Sequence, residues 1–393
     1  MSVRSEAPAQ QSAPSLPATP GGATPAVVPP DGAPPADVRS IDPRAADARA
    51  ADALPAKPTS PAGRLLELMS GHWVAQAIHV AAELGLADLV DRRGSTVAEL
   101  AERSGADPDS LFRLMRALAS VGVFAQREPT VFVPTPMSTL LRDAVPGNLR
   151  AFARFQGADW HWRSWGGLLD SVKSGRPAIE HALGAADCFD HLEQDADAAQ
   201  VFDAAMNGYA LQVHAAVVDA IDFDGARLIV DVGGGTGGLL VAILARAPDA
   251  RGIVLDRPSV VEAAQAQFAG SAVGARCEAR GGDFFEAVPA GGDVYLLSSV
   301  LHDWDDRRAA RILGRVARAM APGARLLIVE NLIPDGNGVH PGKLIDLQMM
   351  AITTGRERSA AEFGALLATA GLAIARVVST AVSASIIEAH ARR

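Results

Sequence analysis

The chain is poor in the residues that build disulfide frameworks, metal cages and nucleic-acid surfaces. Its 393 residues include two cysteines, Cys188 and Cys277. That is too few for a disulfide framework or a cysteine-built metal site, and each is expected to serve as a small buried apolar residue. A reducing, cytoplasmic setting fits this usage. Aromatic residues make up only 5% of the chain, and the formal net charge of −9 leaves no basic footprint for nucleic acid. No run reaches the roughly 18 consecutive apolar residues of a membrane span, and the N-terminus lacks the apolar core of a secretory signal. What remains is a soluble protein working on small molecules, without nucleic acid, membrane or metal.

The chain length suits two ordered domains and a tail. Residues 1–60 hold 12 of the 25 prolines and no aromatic residue, so they cannot bury enough surface to offset the entropy of ordering, and a disordered tail is expected. Its acidic residues, among them Glu6, Asp31 and Asp37, argue against a transit peptide. Residues 61–205 are expected to be mainly helical, opening with Leu65, Leu66, Met69, Trp73, Val74, Ile78 and Leu84 at near-helical spacing. Within them, Thr96 and Glu99 form a capping-box start. Asp107 and Pro108 begin a second helix with Leu111, Leu114, Met115 and Leu118 on one face. Val123–Phe124 and Val131–Val133 then alternate as a short hairpin, completing a winged-helix-like unit. Such a unit can bind DNA. Its second helix offers only Arg113 and Arg116 in an acidic protein, so a dimerisation scaffold is the better reading and a DNA-binding regulator the poorer one.

In residues 206–393 the pattern changes to apolar strands alternating with helices, the sign of an α/β doubly wound, Rossmann-like sheet. Strands are expected at Arg227–Val232, Gly252–Leu255, Val294–Ser298 and Arg325–Glu330, with a terminal antiparallel pair in the Arg376–Ile387 region. The run Asp231-Val-Gly233-Gly-Gly235-Thr-Gly237 links the first strand to a helix through a glycine turn, which lets backbone approach a ligand closely. The loose G-x-G-x-x-G spacing also suits a nicotinamide oxidoreductase. Asp231, however, would repel a pyrophosphate at the strand end, whereas it could pair with a cationic amino group. Asp256 ends the next strand, at the distance where an acid takes ribose hydroxyls. Asp283 beside Phe284 adds a carboxylate next to a ring able to stack on adenine. Three acids at successive strand ends fit a cationic nucleoside.

These runs, together with Leu255-Asp-Arg-Pro258, Gly282-Asp-Phe-Phe285 and Val300-Leu-His-Asp-Trp304, resemble the small-molecule O-methyltransferases of the caffeate and bacterial polyketide type. The resemblance implies a homodimer built through the helical N-terminal half and S-adenosylmethionine as the methyl donor. It places that donor against Gly233, Gly235, Asp256, Asp283 and Phe284, with Ser298 near its carboxylate.

His302 follows the strand Val294–Ser298 by one turn, at the carboxyl edge where open α/β sheets hold their ligands. A base there is what the chemistry needs, because a phenol of pKa near 10 attacks poorly until its proton is removed. Glu330, ending the next strand, and Glu357, just before a helix, are the candidate carboxylates to orient it. By resemblance both flank the histidine and Asp303 touches the acceptor hydroxyl; the residues alone also allow Asp303 simply to begin the helix after Trp304. The resemblance also lines an apolar acceptor pocket with Phe202, Met206 and Met349, and by region with Trp160, Phe189 and Thr353. A small phenolic or polyketide-like aromatic is the expected acceptor. The rival enzyme is a family member that keeps the donor but performs another reaction.

Overall fold

The computed structural model describes residues 60–392; the expected tail lies outside these apart from Ser60. Helices Pro61–Met69 and Gly71–Glu83 open the described chain, separated at Ser70. The short strand β1 (Ser95–Thr96) then leads into helix Val97–Ser104, followed by helix Pro108–Ser120 and the hairpin β2 (Phe124–Glu128) and β3 (Val131–Pro134). The capping chemistry is as the sequence predicts. The Glu99 carboxylate accepts the Thr96 backbone N–H at 2.7 Å, and the Asp107 carboxylate accepts from the Ser110 N–H at 2.9 Å. Leu111, Met115 and Leu118 pack with Leu86, Leu100, Phe124 and Phe132 into one core. The first helix does not join that core. Leu65, Leu66, Met69 and Trp73 are all more than half exposed, which for large apolar side chains on adjoining helices marks a contact surface.

The boundary expected at 205/206 falls inside one helix, Ala196–Ala220. Its N-cap is Asp195, whose carboxylate accepts the Ala198 N–H at 2.9 Å, and it packs against helix Arg150–Gly157 on one side and Gly238–Arg246 on the other. The helix continues unbroken even through the turn-prone pair Asn207–Gly208, so the two halves share a continuous rod.

A seven-stranded sheet follows: β4 (Leu228–Val232), β5 (Arg251–Asp256), β6 (Cys277–Gly281), β7 (Val294–Ser298), β8 (Arg325–Glu330), β9 (Leu372–Ser379) and β10 (Ser385–Ala391), in the spatial order β6-β5-β4-β7-β8-β10-β9. Pairings are parallel from β6 to β8; β10 is antiparallel to both β8 and β9. Both faces are covered, one by a core with Ile229, Leu240, Ile243 and Leu296, the other by one with Val230, Tyr295, Ile312 and Ile328. The strand β6 was not named from the sequence because Cys-Glu-Ala-Arg-Gly is no apolar run. It is an edge strand with one neighbour, where solvent takes the outer side. The order reverses at β4, between β5 and β7, and the ligand crevice of such sheets opens beside that switch point.

Candidate active site

A cavity of about 1800 Å³ opens at the carboxyl ends of β4, β5 and β7. Single-ligand pockets run to about 1,000 Å³, so this one has room for two ligands side by side.

One end is built by the turn after β4. Gly233 adopts φ +71°, and a Cβ there would stand 2.9 Å from a Val300 methyl; a Cβ on Gly234 would stand 2.6 Å from the Asp231 carboxylate. Only bare backbone can pass over these side chains. Beneath it Asp231 is buried, with neither carboxylate oxygen partnered among the described residues. Burial, reinforced by the charge of Asp256, pushes its pKa up to about 7. Asp256 accepts the N–H groups of Gly235 at 2.8 Å and Arg257 at 2.7 Å, so it stays tied to the turn while facing the cavity. Two neighbouring carboxylates, one without a donor, have the chemistry to receive a cationic amino group and hydroxyls. Gly235, Phe284 and Ser298 also line the wall. Asp283 does not. It is exposed, and its carboxylate accepts the Phe285 N–H at 2.7 Å, which turns it into the loop rather than into the cavity.

The other end is built around His302, in a single tight turn over Leu301–Asp303. Glu330 is wholly buried, and its Oε1 accepts three successive backbone N–H groups, from Val300 at 3.1 Å, Leu301 at 2.9 Å and His302 at 3.3 Å. It therefore holds the loop as much as the ring. The ring itself is held by Glu357, whose Oε1 lies 2.8 Å from Nδ1; the other Glu330 oxygen is 3.4 Å from the same nitrogen. His302 Nε2 lies 3.7 Å from Asp303. Burial alone pulls the His302 pKa down, but the charges of Glu330 and Asp303 and the hydrogen bond to Glu357 together outweigh it, leaving the pKa well above the ordinary histidine value. Asp303 is raised to about 6, first by burial and against the pull of His302. His302, Glu330 and Glu357 bring ligand atoms within 4.8 Å of one another, a donor set of the kind that binds metal. The 2.8 Å Nδ1–Oε1 separation is nevertheless that of a hydrogen bond, with a proton on the line between them.

Two residues that frame this turn were not singled out from the sequence. Arg358 is 1% exposed, and its guanidinium donates to the carbonyls of Leu301 at 2.9 Å and Trp304 at 2.8 Å and to Asp306. It clamps both ends of the His302 turn. In sequence it reads as an ordinary solvated charge beside Glu357. Gly355 packs so closely that a Cβ would stand 1.9 Å from the His302 carbonyl oxygen. Gly355→Ala must therefore displace backbone on one side or the other. The expected outcome is a thermal midpoint lower by roughly 5 °C together with slower turnover; a melting curve and rate matching the parent protein would mean that the turn yields without strain.

Between these ends the wall is apolar and aromatic. Phe189, Phe202, Met206, Asp303, Met349 and Thr353 all line it. Trp160 does not. It is buried against Phe155, His161 and His191 instead. Helical periodicity explains the difference: in the helix Asp159–Gly166 the wall is reached by His161, Trp162, Arg163, Trp165 and Gly166, whereas Trp160 shares the opposite, buried face with Ser164 four residues on.

Comparison with known proteins places these features in context. A family model described as an O-methyltransferase domain matches residues 165–373, and one described as an O-methyltransferase dimerisation domain matches residues 66–143. Phenazine O-methyltransferase PhzM of Lysobacter antibioticus is 44% identical over 326 residues, spanning 83% of this chain and 95% of its own. Aclacinomycin 10-hydroxylase RdmB of Streptomyces purpurascens is 36% identical over 330 residues, spanning 82% of this chain and 88% of its own. Among solved structures, that of LaPhzM superimposes with a TM-score of 0.80 at 44% identity, covering 84% of this chain and 99% of the other. NcsB1 from neocarzinostatin biosynthesis, solved with S-adenosyl-L-homocysteine and 1,4-dihydroxy-2-naphthoic acid, superimposes with a TM-score of 0.69 at 35% identity, covering 81% and 95%.

Proposed function

The chain belongs to the O-methyltransferase family and is an S-adenosylmethionine-dependent methyltransferase; from that premise we propose that it methylates a hydroxyl of a small aromatic molecule, with His302 as general base. The observation that carries this reading is the His302–Glu357 pair, 2.8 Å apart, on the wall of a cavity that also holds the unpartnered Asp231. Residues Asp231, Gly233, Gly235, Asp256, Phe284 and Ser298 are assigned to the donor end. The unpartnered Asp231 carboxylate fits the donor's ammonium group. Phe189, Phe202, Met206, Met349 and Thr353 are assigned to a flat acceptor.

S-adenosylmethionine supplies a methyl group on a sulfonium, which departs as a neutral thioether when an oxygen attacks. The protein's part is to supply that oxygen in reactive form. Above the raised His302 pKa the ring is neutral; Glu357 then accepts the Nδ1–H, which leaves Nε2 with its lone pair on the cavity side. Nε2 takes the proton from the acceptor hydroxyl, and Glu330, Asp303 and Glu357 stabilise the imidazolium that forms. The raised pKa brings base and phenol closer in strength, so the transfer is less uphill than with an unperturbed imidazole. Glu330 keeps the loop in register by its three backbone contacts, and Arg358 fixes the carbonyls on either side. The exposed Leu65, Leu66, Met69 and Trp73 are assigned to a homodimer contact, in keeping with the dimerisation-domain match.

Incubation with methyl-labelled S-adenosylmethionine and a panel of hydroxylated aromatics tests the reading directly. Label is expected in an ether oxygen of at least one phenol. Consumption of an acceptor without label transfer, by a protein that still binds the donor, would instead favour a redirected chemistry such as the hydroxylation named for RdmB.

A further inference from the structure

The acceptor wall contains one polar group whose orientation is fixed from both sides. Gln348, on helix Gly342–Ile352, places its side-chain Oε1 2.5 Å from the indole nitrogen of Trp165 and 3.0 Å from Nε2 of His161, to which its own Nε2 comes closer, at 2.7 Å. An indole N–H only donates, so the atom facing it is the amide oxygen. His161 Nδ1 lies 2.9 Å from the Gln156 carbonyl, which only accepts, so Nδ1 carries the ring proton. Burial lowers the His161 pKa, favouring the neutral ring, and Nε2 then presents a lone pair to the amide. A flipped amide would set NH₂ against the indole N–H, donor against donor. One hydrogen of the Gln348 NH₂ is thus committed to His161. The other has no protein partner among the described residues, while Gln348, His161 and Trp165 all line the cavity.

The geometry points to Gln348 as a specificity-determining residue: its free N–H donates to a neutral carbonyl oxygen on the aromatic acceptor, of the quinone or aryl-ketone kind, remote from the hydroxyl that is methylated. This rests on the methyltransferase reading of the same cavity. A carbonyl fits better than a carboxylate because His161 is neutral, Trp165 is an indole, and the two arginines on this wall are already engaged, Arg163 by Asp159 and the Ala182 carbonyl and Arg257 by Glu193, whereas Asp170 and Asp303 contribute negative charge. His161 and Trp165 act on the acceptor only through Gln348, as positioning residues. A locked donor discriminates more sharply than a mobile one, since an acceptor lacking the carbonyl leaves it desolvated and unpaired.

The test uses the full chain and two matched acceptors, a hydroxyanthraquinone and the corresponding hydroxyanthracene, differing only in the ring carbonyls. Binding is read by fluorescence titration in the presence of S-adenosyl-L-homocysteine, and transfer is read separately by label. Binding therefore reports on Gln348 even if no methyl group moves, which separates failure of this inference from failure of the transfer reading. The parent protein is expected to bind the quinone about tenfold more tightly, the equivalent of ~1.4 kcal/mol. Gln348→Met and Gln348→Glu should each abolish that preference, raising KM for the quinone with little change for its partner and none in donor affinity. Equal binding of the two acceptors by the parent, or a preference that survives in both variants, overturns the inference. Using two variants of different polarity guards against one that misfolds.

Discussion

Replacing His302 by glutamine is expected to slow methyl transfer by roughly 100- to 10,000-fold, the range a positioned general base contributes, while S-adenosylmethionine binds as before. The two effects separate because His302 belongs to the Glu330–Glu357 end of the cavity, whereas the carboxylates proposed to hold the donor lie at the turn after β4. Glutamine keeps polarity and approximate volume but has no lone pair of comparable basicity. Turnover by labelled donor, with donor affinity from calorimetry, measures both. An unchanged rate would sink the general-base assignment. The pH profile gives a second view of the same group. Its pKa is raised, so below that pKa the imidazole is already protonated and cannot act; the base form appears as pH rises. The limb of kcat/KM should accordingly climb with pH, centred above the ordinary histidine value of about 6.5. Phenol ionisation would also produce a rising limb, and the two are told apart by acceptors with electron-withdrawing substituents. A limb that stays in place as the phenol pKa falls belongs to the protein, and one that tracks the phenol does not belong to His302.

The second large effect is expected at Asp231, and it has opposite signs in the free and liganded protein. Asp231→Asn should weaken S-adenosylmethionine binding by roughly 10- to 100-fold, the loss of one charge-assisted hydrogen bond, yet raise the melting temperature of the ligand-free protein. In the free fold the carboxylate is buried with both oxygens unpartnered, and its pKa stands at about 7 against an ordinary 3.8. For an acid raised on folding, the ionised form is the disfavoured one. The penalty is absent near pH 4, grows as pH rises, and is complete above about 7, where it amounts to on the order of 4 kcal/mol. The gain from asparagine should therefore be seen at pH 8 and vanish near pH 4. Donor binding by the parent protein should likewise tighten as pH rises through 7, because a cationic amino group prefers the ionised carboxylate, and this dependence should be lost in the variant. Melting curves and binding isotherms at the two pH values decide it; a variant that melts no higher at pH 8 would show that Asp231 finds a donor within the free protein.

Much of this molecule can be read along the chain because it is local. Helix caps at Thr96 and Asp107, the strand β7 with its apolar run, and the glycine turn after β4 are each specified by residues within a few positions of one another. Their physics of short-range hydrogen bonds and steric freedom needs no distant partner. The acids Asp231 and Asp256 and the proposed base His302 could be found in the same way, since the acids sit at the carboxyl ends of β4 and β5 and the histidine comes one turn after β7. Glu357 was legible as a candidate, but its 2.8 Å contact joins residues 55 positions apart, and only the packed sheet edge supplies that.

What the tertiary structure alone decided is which side of each element faces the cavity. Trp160 stands next to wall residues in sequence and points away from them, on the buried helix face that it shares with Ser164. Asp283 sits in a matching run yet turns into its own loop to accept the Phe285 N–H. Arg358 and Gly355 look unremarkable in sequence and gain their meaning from the His302 turn more than 50 residues earlier. Gln348 is the furthest case: an amide takes its orientation from its partners, and these lie over 180 residues away in the chain. Composition and spacing determined the sheet, the glycine turn after β4 and the place of His302 beside β7, because short-range chemistry writes them into neighbouring residues. The facing of the cavity wall and the locking of the Gln348 amide follow from long-range packing, which leaves no local mark.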